Sequence, residues 1–579
     1  MANSQSPAGL AAQSEFKPVF PTRWVWIACW AVALLLGLFQ AWASRHVLTG
    51  DSISYLDMAG AISQGHWGAA VNAYWSPLYP GLLGLALKIV GPSKSWEIPF
   101  SHLLNFAVYV GALGCFHFFL RSLLNAHRNA EPKASSEGSD ILPEWAWVSL
   151  GFALFTWTSL QLIHLVVVNP DLCVAAFVYL GGGLLLRIRV RPADWRIYLI
   201  LGVVLGLGYW AKAPMFPMAF VFMFAGALAA LNLRIALPRL GVSLLVFLIV
   251  ACPLILALSR AQGRLTFGDS AKLNYACYLY GISGVNWQGQ PPGTGTPKHP
   301  PRKLLDEPPV YAYATHLKGT YPPMYDPAYW EDGMKARFTL RGQARALLTD
   351  LLEYFKLFVL RQGVILGAIV TLLVLSGTWR SGIRNLAEYV FLLIPPLAAL
   401  CMYAPVHVEP RMVAAYVVLL WVGILSGIRL PASPEFKRIA AAVTISMLVM
   451  LGVQIVGRVV EDLNNGISDP EEVNWVVAEK LKRMGVAPGD IVASAGDTNN
   501  SSWRHIAEVS IVAETPDYSK ESFWWAADPQ AKAQVFQAFA ETGAKAVVAD
   551  RMPLPDWTAD WQQIGDTQYF IHFLAQPGG

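Results

Sequence analysis

Eleven apolar runs with the reach of membrane helices constrain this chain more than anything else in its sequence. The first, Trp24–Trp42 (WVWIACWAVALLLGLFQAW), is broken only by Gln40. One helical crossing takes about 20 apolar residues. Runs of this kind fall near 24–42, 99–120, 145–168, 172–186, 195–210, 214–233, 240–258, 354–375, 387–403, 412–428 and 439–456. Only 14% of the 579 residues are charged and 55% are hydrophobic, whereas a soluble domain carries about 25% charge. The expected fold class is therefore a polytopic α-helical membrane protein with about 11 transmembrane helices. Residues 1–22 have no charged stretch leading into an apolar core and a cleavage site, so the first run reads as a retained span.

A twelfth run, 78–91, contains Pro80, Gly81, Gly84 and Lys88 and follows Pro77. It reads as a juxtamembrane or re-entrant helix. The positive-inside rule decides the matter. With eleven spans and residues 1–23 in the cytoplasm, the inner loops collect Arg121, Arg128, Lys133, Arg187, Arg189, Arg191, Arg196, Arg234, Arg239, Arg380, Arg384, Arg429, Lys437 and Arg438. The short outer loops then hold little beyond Lys212 and Arg411. Counting 78–91 as a crossing would reverse this bias. The expected home is a bacterial-type inner membrane, multi-pass.

That topology divides the chain into a membrane unit, 24–457, and a last stretch, 458–579. The membrane unit includes a first outer loop, 44–98, and a large one, 259–353. The large loop is rich in Pro, Gly and Tyr, and its aromatics argue against simple disorder. In the last stretch, PEEVNWVVAEKLKRMG and QAKAQVFQAFAETG have helical periods, and DIVASAG, VSIVAE and AKAVVAD read as strands. A small extracytoplasmic α/β domain is expected, without a GxGxxG fingerprint for a nucleotide. A net charge of +4 without a basic block argues against a nucleic-acid partner. Five of the six cysteines lie in apolar runs and Cys277 stands apart, so neither a disulfide framework nor a CxxC metal spacing follows.

On this topology, acids and bases gather at the outer surface. Asp51, Tyr55 and Asp57 follow the first span in TGDSISYLDMA, and Asp171 lies in VVVNPDLC between spans three and four. Lys212 lies between spans five and six, and His407, Glu409 and Arg411 lie in YAPVHVEPRM between spans nine and ten. Ionisable groups at membrane depth are costly and mark function. Each also has a plain structural role. Asp51 would cap a helix running to about Gly65, Asp171 would cap span four, and Lys212 and Arg411 would snorkel to the interface. Asp57 sits about 120° around that helix from Asp51, so the two are not a close carboxylate pair, and Asp57 reads as solvated or structural.

The acid after the first span, then YWSPLYPGLLGLALKIVG and SHLLNFAVYVGALGCFHFFLRSLL, resemble the opening of the GT-C membrane glycosyltransferases. The likeness is to the branch of the protein O-mannosyltransferases and the lipid A aminoarabinose transferase. Ser76–Pro80 (SPLYP) is similar to its juxtamembrane PPLYP helix, NPDLCVAAFVYL to its second outer loop, LGLGYWAKAPMF to its GLxxLTKGP segment, and HVEPRM to its ERY element. The resemblance spans roughly 24–230 and 400–425. It implies a sugar moved from a polyprenyl-phosphate donor in the bilayer to an extracytoplasmic glycan, lipid or protein acceptor. Asp51 would be the general base and the outcome inversion. Lys212, Arg411 and His407 would hold the donor phosphate, while Asp171, Tyr55, Asp57 and Glu409 would position sugar or a cation. Where those families place Glu after the first-loop acid, this chain has Ser52, which leaves a divalent metal open as a cofactor. A lipid-linked glycan polymerase or ligase is the nearest alternative. A flippase would show paired broken helices in matching halves, and a receptor would need no such charges.

Overall fold

The computed structural model describes residues 22–134, 139–140, 142–282, 285–313, 319–376, 385–431, 433–467, 472–496, 498–499, 501–516, 528–550 and 561–575. Each of the eleven runs holds a helix. Six helices are long and apolar enough to cross a bilayer: Thr22–Ala43, Lys94–Asn129, Glu144–Ile163, Asp171–Val190, Leu233–Gln262 and Pro434–Asn465. A seventh crossing is a broken one, Leu340–Arg361 followed by Gly363–Val374 with a bend of 68°. The other four, Trp195–Ala211, Met215–Ala229, Val390–Tyr403 and Pro410–Ser426, have 17, 15, 14 and 17 residues. They fall short of the ~20 residues of a full straight crossing. Length and composition thus secure six or seven crossings, and the chain is a multi-pass membrane protein.

The twelfth run is a helix of 13 residues, Leu78–Val90. It buries Tyr79, Leu83 and Leu87 and exposes Leu82, Leu85, Ile89 and Val90, the pattern of a helix lying along an interface rather than across it. Its buried side packs on the first-loop helix, Gly50–Ser63. A Cβ on Gly84 would stand 2.8 Å from the Ala59 carbonyl oxygen and 2.9 Å from Ile62 Cβ, so glycine sets that close approach.

The described residues of the large loop, 259–353, form short elements rather than one long irregular segment. It contains the Ser270–Tyr280 helix and, at its end, the amphipathic Leu340–Phe355 helix. The three strand-like runs of the last stretch are strands, as read: β5 Ile491–Gly496, β6 Ser510–Pro516 and β7 Ala546–Asp550. Both helical periods are helices, Glu472–Arg483 and Pro529–Glu541. The boundary at 458 is not the boundary of the sheet, however. A seven-stranded sheet runs in the order β2-β3-β6-β5-β7-β9-β8, with β2 Arg302–Leu305 and β3 Val310–Ala312 supplied by the large loop. Its other edge is β9, Tyr569–Phe573, with β8, Gln562–Gln563. The centre, β6-β5-β7, is parallel and its flanks are antiparallel. A small separate pair, β1 Ser139–Asp140 and β4 Leu430–Pro431, is antiparallel.

Five of the loop aromatics belong to this junction. Tyr311, Tyr313, Tyr321, Tyr325 and Trp330 are buried in one apolar cluster with Leu56, Met58 and Tyr79 from the 44–98 loop and Val492, Ile511 and Val548 from the sheet. The rings of these five are packing core. Among the described residues no two cysteines are joined as a disulfide.

Candidate active site

The first-loop helix begins differently from the expectation. Its N-cap is Thr49, whose Oγ1 accepts from the Ser52 amide at 3.4 Å, so Asp51 stands in the first turn with its carboxylate released from capping. An acid there is favoured by the helix dipole. Asp171 likewise is not a cap. Its own amide donates to Asn169 Oδ1 at 2.9 Å, and its carboxylate is left to face the cavity. Lys212 is the C-cap of Trp195–Ala211, and Arg411 lies in the first turn of Pro410–Ser426, next to its N-cap Glu409.

These groups converge. A cavity of about 600 Å³ is lined by Asp51, Tyr55, Asp171, Lys212, His407, Glu409 and Arg411 together. Lys212 Nζ donates to Asp171 Oδ1 at 2.5 Å. Arg411 Nη2 donates to Asp51 Oδ2 at 3.2 Å, and its Nε donates to Glu409 and lies 3.8 Å from Asp171 Oδ2. Neither cation is a lone interfacial anchor. Three carboxylates meet two cations here, which leaves one negative charge while His407 is neutral. His407 Nε2 stands 3.6 Å from Glu409 Oε1. That neighbour, joined by Arg411, outweighs burial and holds the Glu409 carboxyl down at about 2. The Tyr55 hydroxyl is pushed well up by burial and then by the charges of Asp51 and Asp171, so it stays a neutral donor.

Two buried polar atoms in the wall have no hydrogen-bond partner: Asp171 Oδ2 and Asn169 Nδ2. Buried polar groups are nearly always satisfied, so an acceptor and a donor left open side by side suit a ligand rich in hydroxyls. The large loop adds Asn274 and Tyr278 to the lining, and the Tyr278 ring stacks on His407 at 3.8 Å between centroids. Tyr74 and Trp75 add further aromatic wall. Sequence reading missed Asn169, Tyr74 and Tyr278. Asn169 stood two residues from a named acid, and its amide was the available signal.

Asp57 is the exception among the named residues. It lies outside the cavity lining, and its side chain is buried rather than solvated. Its Oδ2 accepts from the Thr320 amide and hydroxyl, both at 2.8 Å, and its Oδ1 meets His505 Nδ1 at 2.8 Å.

For a divalent metal, the fit is poor. Asp51, Asp171 and Glu409 are each engaged by Arg411 or Lys212, and among the described residues no group of three His, Cys, Asp or Glu side chains converges as a ligand set. No chemical step is derived through a metal.

No family model matches the chain, and no curated protein matches it. Solved structures do. ArnT from Cupriavidus metallidurans, bound to undecaprenyl phosphate, aligns with a TM-score of 0.52 at 11% identity, covering 96% of this chain and 98% of that one. The apo oligosaccharyltransferase of Archaeoglobus fulgidus aligns with a TM-score of 0.48 at 12% identity, over 93% and 70%. At 11% identity the first likeness is one of fold, and it extends over almost the whole of both chains.

Proposed function

We propose that this chain, which has the fold of the GT-C membrane glycosyltransferases, is itself a glycosyltransferase that takes its sugar from a polyprenyl-phosphate donor. One observation carries the reading. Asp51, Asp171, Lys212 and Arg411 come from four separate chain segments, and they meet in one cavity as two interlocked carboxylate–cation pairs. A stability role alone would not require four segments to deliver charge to a cavity wall, given what buried ions cost. The structure of ArnT with undecaprenyl phosphate supports a lipid phosphate as the leaving group.

In this mechanism the donor phosphate enters beside Arg411 and Lys212. Arg411 offers a planar fork and Lys212 a point charge. The phosphate competes with the carboxylates for these cations, so its arrival frees Asp51 from Arg411. The acceptor hydroxyl then attacks the anomeric carbon. Its proton passes to Asp51, the anomeric carbon–oxygen bond breaks, and polyprenyl phosphate leaves with the electron pair. Direct attack inverts the anomeric centre. General-base assistance of this kind contributes typically 10²–10⁴-fold. His407, when protonated, offsets the excess negative charge beside the phosphate. Asp171 Oδ2 and Asn169 Nδ2 bind sugar hydroxyls, and Tyr55 donates from the floor. The eleven-span topology, with this cavity at the extracytoplasmic surface, is part of the same reading, because a lipid-linked donor is the form in which sugar is available there.

The test is a panel of synthetic undecaprenyl-phosphate hexoses and pentoses incubated with the purified protein and a membrane extract as acceptor. Mass spectrometry should find one donor converted to undecaprenyl phosphate. Survival of every donor in the panel would overturn the reading.

A further inference from the structure

Away from the cavity, a second cluster of ionisable groups joins the parts of the molecule that carry Asp51. His505 lies on a short helix, Trp503–Ala507, that precedes β6, and it is 5% exposed. Its Nδ1 stands 2.8 Å from Asp57 Oδ1 on the first-loop helix, and its Nε2 stands 3.4 Å from Glu97 Oε1 on the Lys94–Ala134 helix. Both neighbours are carboxylates, and only an imidazole protonated on both nitrogens can donate to both. The second Asp57 oxygen is taken by Thr320 of the large loop. Asp57 therefore ties the first-loop helix to the large loop and to the His505 helix, and through His505 to the Lys94–Ala134 helix. The first turn of that helix is held from the same side. Ser502 Oγ donates to the Leu48 carbonyl at 3.4 Å, and a Cβ on Gly50 would stand 3.0 Å from Asn499 Oδ1.

We propose that His505 and Asp57 are positioning residues, which lock the helix bearing Asp51 to the extracytoplasmic sheet most tightly while His505 is a cation. This rests on the glycosyl-transfer reading for what the helix positions, although the lock itself does not. Lys94 Nζ stands 3.5 Å from His505 Nε2 and bridges Glu97 at 2.5 Å. Lys482, from the Glu472–Arg483 helix, donates to the Ile506 carbonyl and lies 3.9 Å from Glu508. Arg504 turns away to the carbonyls of Thr498, Asn499 and Ser501.

Burial and then Lys94 work against the charge on His505, but Asp57 and Glu97 outweigh them and raise its pKa above 6.5. Burial would raise Asp57; its hydrogen bond and charge interaction with His505 prevail and lower it. A raised imidazole contributes while protonated and is lost as pH rises through its folded value, and a lowered carboxyl is lost only as pH falls far into acid. The lock therefore loosens on the alkaline side.

Hydrogen exchange of the peptide covering 50–63, in the full-length protein in detergent and corrected for the intrinsic pH dependence of exchange, reads this directly and needs no donor. Losing a hydrogen bond to a charged group should speed exchange roughly 10- to 150-fold as pH rises through the His505 titration. His505→Gln should abolish that pH dependence and exchange fast throughout. Lys94→Met removes a neighbouring cation from the rim of the cluster and should move the midpoint to higher pH, a shift that mere loss of packing would not produce. Exchange in the parent that is flat with pH, or a midpoint unmoved in Lys94→Met, overturns the proposal. If the lock behaves as stated while no donor is consumed, only the transfer reading fails.

Discussion

Asp51 and Arg411 are 360 positions apart in sequence and 3.2 Å apart in space, so each is the test of the other's role. If Asp51 is the base, Asp51→Asn removes proton acceptance while keeping size and hydrogen bonding. Transfer should then fall by about 10²–10⁴-fold, with undecaprenyl phosphate still bound and thermal stability kept; turnover near the parental rate would refute the assignment. Because Thr49 supplies the cap, the loss could not be blamed on fraying. Arg411→Met and Lys212→Met should each weaken undecaprenyl phosphate binding roughly 10- to 150-fold, the worth of one charge-assisted contact. Binding equal to the parent in both variants would return them to the role of interfacial anchors. These residues were legible because ionisable side chains flanking apolar runs stand out. Their pairing was not, since nothing local links Asp51 to Arg411 or Asp171 to Lys212.

At the scale of elements, the contact between the first-loop helix and the Leu78–Val90 helix sets how the base is presented. Gly84→Ala forces a methyl against the Ala59 carbonyl and Ile62 and should cost about 1–3 kcal/mol, the usual toll of overpacking. Gly81→Ala, with nothing within 4 Å of its added Cβ, should be neutral or slightly stabilising on the same helix. Midpoints of thermal aggregation, followed by size exclusion, should separate the two; equal midpoints would mean the helices do not meet at Gly84. That 78–91 would be a short helix rather than a full crossing was readable from its length and its prolines. That it would be the floor under the first-loop helix was not, because the partner surface is set by a crossing of two helices.

Across the whole molecule, the charge bias and the sheet make one joint claim. β2 and β3 can pair with β6 only if the large loop and the last stretch lie on the same side of the membrane. Single cysteines in a cysteine-free background at Gln563 in β8 and Asn129 near the end of the long second span, both exposed, should label oppositely. In spheroplasts an impermeant thiol reagent should reach Gln563→Cys at once and Asn129→Cys only after lysis. The opposite pattern would turn the cavity to the cytoplasm and remove the argument for a lipid-linked donor.

Hydrophobic length and arginine placement are properties of consecutive residues, and so the helical membrane class, the sidedness expected for its loops and the candidate charges could be read along the chain. The strands β5, β6 and β7 were readable for the same reason, being short runs of β-branched and small apolar residues. Pairing across long separations is not a consecutive property. Burial in tertiary contact decided that Asp57 is held by Thr320 and His505 rather than by water, and that five of the loop aromatics fill a core. It also decided that the sheet borrows two strands from a loop, and that two acid–base pairs close one cavity. Each of these depends on which surfaces exclude water together, and only the folded chain brings those surfaces into contact.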